Sequence, residues 1–229
     1  MTPEEMLARL LYRDGLMLVV DKPAGLPVHR GPKGSEALED YFDALRFGLP
    51  RPPALAHRLD RDTTGCLVLG RHRKALALLG KLFKQGKVGK CYWAVAEGGP
   101  ESDEGQIDIP LAKRDESRGW WMKADRGGLP STSTWKVMGR GPGVTWLALE
   151  PVTGRTHQLR VHCAEMGWPI VGDTIYGRAP RTGGPPLHLH SREVTVPISK
   201  NKPPVKVVAP VPEAMRERLT ACGWANETQ

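Results

Sequence analysis

Apolar residues gather in short bursts along the chain, and their period changes from one burst to the next. "LMLVV" at 16–20 is a continuous run, which predicts a buried strand from Leu16 to Val20 that ends at Lys22-Pro23 and enters a Gly/Pro turn. In "SEALEDYFDALRF" the apolar residues Leu38, Tyr41, Phe42 and Leu45 have the spacing of one helical face, with Ser35 placed to cap it. "RPPAL" at 51–55 reads as a linker. "CLVLG" after Gly65 suits a central strand. "KALALLGKLFKQGKV" predicts the clearest helix: Leu78, Leu79, Leu82 and Phe83 on one side, Lys74, Lys81 and Lys84 on another, and Gly86 as a stop. "KCYWAVAEG" and "VTWLALEP" read as strands by their branched and aromatic content. "THQLRVHCAEMG" predicts a short helix closed by Gly167, "PISKNKPPVKVVAPVP" an extended tail, and "EAMRERLTACGW" a last small helix. Strands and helices interleave irregularly, and several strands sit close together. That favours an α+β fold, a mixed and mostly antiparallel sheet with flanking helices, over a doubly wound one.

Charge narrows the partners. The 229 residues carry 33 Lys+Arg against 25 Asp+Glu, a net +8, and an excess of that sign suits a polyanion. The segment 113–126, "KRDESRGWWMKADR", sharpens this. Lys113, Arg114, Arg118 and Lys123 can meet phosphates, while Trp120 and its neighbour Trp121 can stack on bases, a pairing suited to single-stranded nucleic acid. The alternative is a hairpin or long loop whose indoles cover the sheet.

Other chemistries find little support. Cys66, Cys91, Cys163 and Cys222 are scattered, form no CxxC pair and fit a reducing compartment. His157 and His162 make a poor metal pair, and His188 with His190 lacks a third ligand, so no metal is expected. Neither GxGxxG nor GxxxxGK[ST] occurs, so no nucleotide cofactor is expected. No signal-peptide pattern opens the chain and "LMLVV" is too short to span a bilayer, so a soluble cytoplasmic protein with no membrane partner is expected.

"HRLDRDTTG" at 57–65 sets one carboxylate among arginines. In an extended chain Arg58 and Asp60 point one way, His57 and Leu59 the other. A guanidinium beside Asp60 favours the ionised acid, and Arg58 is long and planar enough to enter a base stack. A surface Arg–Asp pair is the plainer alternative. Farther on, "GRTHQLRVH" offers Arg155 and Arg160; on one helix they would lie about 140° apart around the axis and could not both face one pocket.

These stretches together resemble the RluA family of RNA pseudouridine synthases. The match runs in order through "DKPAGLPVH", "HRLDRDTTG", "KCYWAV" and "GRTHQLRVHCAEMGWPIVGDTIYG". The resemblance implies one catalytic domain over 1–229, with a central cleft in its sheet, that isomerises uridines in a structured ribosomal or transfer RNA stem-loop. It implies Asp60 as the catalytic aspartate, Arg58 as the residue that helps extrude the target nucleotide, Tyr92 as the ring that stacks on the flipped uracil, and Arg160 as the basic partner of the aspartate. His57, Thr64, Arg155, Lys113, Arg114, Arg118 and Trp120 are the expected substrate contacts, with no cofactor, no obligate protein partner and a monomer.

Thr63-Thr64-Gly65 stands where many members have Thr-Ser-Gly, and only about fifteen residues precede the first expected strand, too few for the additional RNA-binding domain of many members. Target recognition is therefore expected from the catalytic domain. Two rivals stay open: a nucleosidase or glycosidase, whose common plan uses two acids where the motif offers Asp60 with only Asp62 near it, and a silent RNA-binding module on the same scaffold.

Overall fold

A computed structural model describes residues 1–31, 34–115, 121–199 and 201–225. In chain order the described elements begin with α1 (Pro3–Ala8), β1 (Leu10–Arg13), β2 (Met17–Lys22), a 3-10 helix (Leu38–Leu45), β3 (Ala54–Leu55), β4 (Thr64–Gly70) and α2 (Arg73–Lys84). Next come β5 (Gly89–Glu97), β6 (Glu104–Asp108), β7 (Leu111–Lys113), β8 (Met122–Ala124), β9 (Thr132–Gly141) and β10 (Val144–Pro151). The last are α3 (Gln158–Glu165), β11 (Leu189–Val196), β12 (Val205–Val208) and α4 (Glu213–Ala221). The chain divides into two compact units, Met1–Lys90 with Ser191–Pro210, and Cys91–His190 with Val211–Gln229.

In the first unit β1, β2, β4 and β11 lie side by side, with β3 on β4 and β12 on β11. The pairings β1–β2, β2–β4, β3–β4 and β11–β12 are antiparallel. β2 is buried on both faces, which is why it reads as a continuous apolar run. Met17 and Val19 pack with Cys66, Val68, Val194 and Val196 and with Leu79 and Leu82 of α2. Helix α2 starts where the His72 ring accepts the Ala75 N–H at 3.3 Å, and it stops at Gln85-Gly86, where Gly86 has φ +65°. It lies so close to β4 that a Cβ on Gly70 would sit 2.8 Å from the Cα of Leu76. Ala75, Leu79 and Leu82 carry its buried stripe, while Leu78 is exposed, so the apolar face is narrower than its four-residue prediction. Truncating Leu79 to Ala would cost about 2–5 kcal/mol, the range for emptying a tight core site.

The second unit orders its strands β5, β10, β9, β6, with antiparallel registers throughout that series. Helix α4 packs on this sheet through Met215 and Leu219, joined by Trp146, Val171 and Trp224. Hairpin β7–β8 forms a small separate sheet, as the polar, tryptophan-centred segment allowed. The result is the α+β class with a mixed, mostly antiparallel sheet.

Several elements differ from expectation. Leu38–Leu45 is a 3-10 helix, not a Ser35-capped α-helix. Its entry is fixed by the Asp40 carboxylate, which accepts the Ala37 N–H at 3.0 Å, and its bonds run three residues apart, as Asp40 N–H to Ala37 O at 3.1 Å. Leu38, Phe42 and Leu45 all face inward, and the tighter turn seats those three. "RPPAL" contains the short strand β3, and the extended tail contains β12. Two elements, α1 and β1, precede β2 where no structure was expected; α1 is started by a Thr2–Glu5 capping box with Pro3 in the first turn. Strand β9 was also unforeseen, because only Ser133 and Trp135 give its outward-inward alternation any contrast.

Candidate active site

In the first unit, "HRLDRDTTG" and "DKPAG" build one structure. Leu59 is buried and Arg58 exposed, the alternation expected of an extended segment. The His57 ring stacks on Phe83, centroids 4.5 Å apart, and its Nε2 accepts the Val68 N–H at 3.0 Å. Burial, with the charge of Lys90 adding to it, pushes the His57 pKa down to about 3, so the ring is a neutral acceptor that fastens the segment to β4 and α2.

Beyond it the chain turns at Asp60–Thr63, closed by Thr63 N–H to Asp60 O at 3.2 Å. The Lys22 ammonium fills this turn. It donates to Pro23 O at 2.8 Å, Arg61 O at 2.8 Å and Thr63 O at 3.0 Å, which uses all three of its protons. Burial lowers the Lys22 pKa to about 8, against the pull of Asp62 and Asp60, and the group stays mostly protonated at neutral pH. From outside, Arg61 Nε donates to Gly25 O at 2.9 Å, where Gly25 with φ +80° turns the "PAG" loop back. Thr64 then opens β4, and Gly65 pairs with Lys22 in the β2–β4 register. The backbone beneath Asp60 is thus held from both sides. Lys22 was not among the expected site residues.

In the second unit, Tyr92 is buried on β5 opposite Leu149 of β10. Arg160, 4% exposed on α3, donates from Nε and Nη2 to the two oxygens of Asp173, each at 2.8 Å. Burial opposes ionisation of Asp173. The Arg160 guanidinium, together with the N–H groups of Tyr176 and Ile175, nonetheless holds its carboxyl below the ordinary range. The same guanidinium lies 5.4 Å from the centre of the Tyr176 ring. Tyr176 Oη accepts the Met122 N–H at 2.8 Å and meets His157 Nδ1 at 2.8 Å, so α3 and the β7–β8 hairpin share one polar anchor. Sequence reasoning named neither Asp173 nor Tyr176.

The helix geometry assumed for Arg155 does not apply. Helix α3 begins at Gln158, after His157 in the left-handed region with φ +52°, so Arg155 sits in the preceding loop. Gln158 organises that loop: its Oε1 accepts from Arg155 N–H at 3.0 Å and Thr153 Oγ1 at 2.7 Å, and its Nε2 donates to Thr132 O and Ser133 Oγ, both at 2.9 Å. On the hairpin, Lys113 lies opposite Met122, Arg114 N–H donates to Trp121 O at 2.7 Å, and the Arg114 guanidinium lies 5.8 Å from the Trp121 ring centre. Arg118 and Trp120 fall outside the described residues. Lys113 and Arg155 line one cleft. Among the described residues no three His, Cys, Asp or Glu side chains are grouped to hold a metal.

The sequence family described as RNA pseudouridylate synthase matches residues 16–165, from the strand that carries Lys22 to the end of α3. The chain belongs to that family. An RNA pseudouridine synthase of Zymomonas mobilis is 44% identical over 213 residues, covering 91% of this chain and 96% of its own. The ribosomal large subunit pseudouridine synthase C of Haemophilus ducreyi is 32% identical over 222 residues, covering 94% of this chain and 69% of its own. Among solved structures, human RNA pseudouridylate synthase domain containing 4 superposes with a TM-score of 0.82 at 25% identity, over 96% of this chain and 95% of that one. The synthase is therefore an RNA-modifying isomerase, and its substrate residue is uridine.

Proposed function

We propose that the synthase converts specific uridines in a ribosomal or transfer RNA stem-loop to pseudouridine, with Asp60 as the carboxylate that acts on the sugar. The reaction breaks the bond from uracil N1 to C1′, turns the detached base and joins its C5 to C1′, while the proton on C5 leaves and N1 takes one up. No electrons are gained or lost overall. Cleavage leaves positive character on C1′. A carboxylate can answer it by attacking that carbon, by stabilising the charge or by removing a sugar proton; all three need an anion held at the sugar. The observation that carries the assignment is the turn at Asp60–Thr63, whose carbonyls are locked onto the buried Lys22 ammonium. That is the pre-organisation a catalytic carboxylate requires.

The target base must leave its stack, at a cost of a few kcal/mol. In the proposal the exposed Arg58 takes the vacated place and Tyr92 supplies a platform for the uracil. Arg160, aligned by Asp173, is the cation that supports the site. The name of the Haemophilus relative makes large-subunit ribosomal RNA the first place to look. The test is a map of pseudouridine in total RNA from cells with and without the gene. One or a few sites should vanish with the gene and return with the wild-type copy but not with Asp60→Asn. An unchanged map, or free uracil released from RNA by the purified protein, would refute the assignment.

A further inference from the structure

One cleft in the second unit is used by none of these steps. It is an open cleft of about 480 Å³ between hairpin β7–β8 and the loop before α3. Its floor is apolar, with Leu111, Met122 and Leu129, and its cationic side holds Lys113 and Arg155. No acid is among the described residues that line it. We propose that this cleft is a second nucleotide subsite, which takes one unstacked nucleotide of the RNA beside the target uridine. The base lies on Met122 and Leu129, and its phosphate is held by Lys113 and Arg155. The inference rests on the proposed stem-loop substrate and adds a second extrahelical nucleotide to it.

The walls are built in advance. Leu111 and Leu129 exchange both backbone hydrogen bonds, at 3.0 and 2.8 Å, and Gly128 N–H donates to Asp125 O at 2.8 Å. Gly128 lies so close to Leu111 that a Cβ there would fall 2.5 Å from the Leu111 carbonyl carbon. β8 is tied through Met122 N–H to Tyr176, and the Arg155 backbone is tied to Gln158. With its backbone fixed, Leu129 still leaves 57% of its surface to solvent, over the cleft. Arg155 spends Nε on Pro130 O at 3.3 Å, and its two terminal nitrogens and the Lys113 ammonium meet no protein acceptor among the described residues. A planar guanidinium and a point charge beside apolar side chains match a phosphate joined to a base. The volume falls in the range of small-ligand sites, about 300–1,000 Å³. A base in a duplex has both faces covered, so only an unstacked one can use this floor.

The experiment is methyl NMR on the whole protein, labelled at Met and Leu methyls, titrated separately with uridine 5′-monophosphate, ribose 5-phosphate and inorganic phosphate. Uridine monophosphate at millimolar concentration should shift the Met122 and Leu129 methyls, and the two base-free probes should not. Gly154 lines the cleft and has nothing within 4 Å of the position its Cβ would take, so Gly154→Leu fills the space without displacing backbone. That variant should keep the methyl spectrum away from the cleft, weaken the nucleotide's effect at least tenfold, and raise KM for a stem-loop RNA. Leu129→Ala, which opens space instead, should weaken the shift of the Met122 methyl. Equal shifts from phosphate alone would mean an anion site with no place for a base and would overturn the proposal, as would no shift at Met122 and Leu129. Because the readout needs no turnover, a pseudouridine map unchanged by loss of the gene, with intact methyl shifts, would count against the proposed reaction and not against the cleft.

Discussion

Replacing Lys22 with Met keeps the apolar stem and deletes the ammonium, so it isolates the charge inside the Asp60 turn. The carbonyls of Pro23, Arg61 and Thr63 would each lose a donor. Hydrogen bonds to a charged group contribute about 1.5–3 kcal/mol each, so three represent roughly 5–9 kcal/mol. Against this, the wild-type protein bears the cost of burying the ammonium. Lowering its pKa from 10.5 to about 8 corresponds to about 3 kcal/mol at 1.36 kcal/mol per unit, and the variant is relieved of it. The net loss is then roughly 2–6 kcal/mol at neutral pH. For a chain of this size each kcal/mol moves Tm by about 2–4 °C, which gives a fall of roughly 5–20 °C.

The pH dependence is the sharper test. The folded-state pKa of Lys22 lies below the unfolded one, so between about 8 and 10.5 the unfolded chain binds more protons at this site than the folded chain. Stability therefore rises with pH across that window in the wild type and does not in Lys22→Met. The gap between the two proteins should widen by about 3 kcal/mol from pH 8 to pH 10.5, because titration of all the other groups cancels in the difference. Denaturant melts at pH 7, 8, 9 and 10 measure it. A gap that stays flat would mean that the ammonium is not desolvated, and the account of the turn would fail. Turnover follows the same geometry: a shift of about 1 Å beneath Asp60 should lower kcat by about 100-fold, read as tritium released from RNA labelled at uridine C5.

Asp60→Asn should abolish isomerisation while RNA binding persists or tightens, because the change removes a negative charge facing a polyanion; activity within tenfold of wild type would sink the assignment. Asp173→Asn leaves the Arg160 guanidinium buried without its anion and should cost about 3–5 kcal/mol. Since the Asp173 pKa is held below its ordinary 3.8, that difference is present in full at neutral pH and disappears as pH falls through the folded-state value, which acid melts of the two proteins will show. Neutralising Lys113, Arg114 and Lys123 together should weaken RNA binding and flatten its salt dependence by about 0.7 in log–log slope per lost contact; an unchanged slope would leave the hairpin a packing element.

What the sequence disclosed follows from how local each signal is. β2, β4 and α2 were legible because their burial is written in a run or a stripe of neighbouring apolar residues. α3 was legible as a helix from its glycine stop but not as a core element. Gln158 through Cys163 are all buried, three of the six are polar or charged, and no stripe survives. Each polar member has a partner far away in sequence: Gln158 with Thr132 and Ser133, Arg160 with Asp173, His162 with Ser133 and Ile109 O. Asp60 stood out through the family resemblance, whereas its support did not, since the partners of Lys22 lie 39 and 41 residues downstream.

One local signal did bear on Lys22. In a strand, residues two apart share a face. Leu18 and Val20 are wholly buried, and the same parity carries Lys22 inward, where it too is wholly buried. Asp21, of the other parity, lies on the strand face of Met17 and Val19 and has its pKa pushed up to about 6 by burial, with Arg9 and Lys22 opposing. A charged pair at the end of a strand ordinarily marks the point where the chain meets water. Here the apolar face does not end with the apolar residues. It continues for one more step and ends on an ammonium whose partners are the backbone carbonyls of the catalytic turn. The strand's alternation thus reaches the candidate active site at the residue immediately before the proline that ends it, and it explains why a lysine and an aspartate so far apart in sequence belong to one construction.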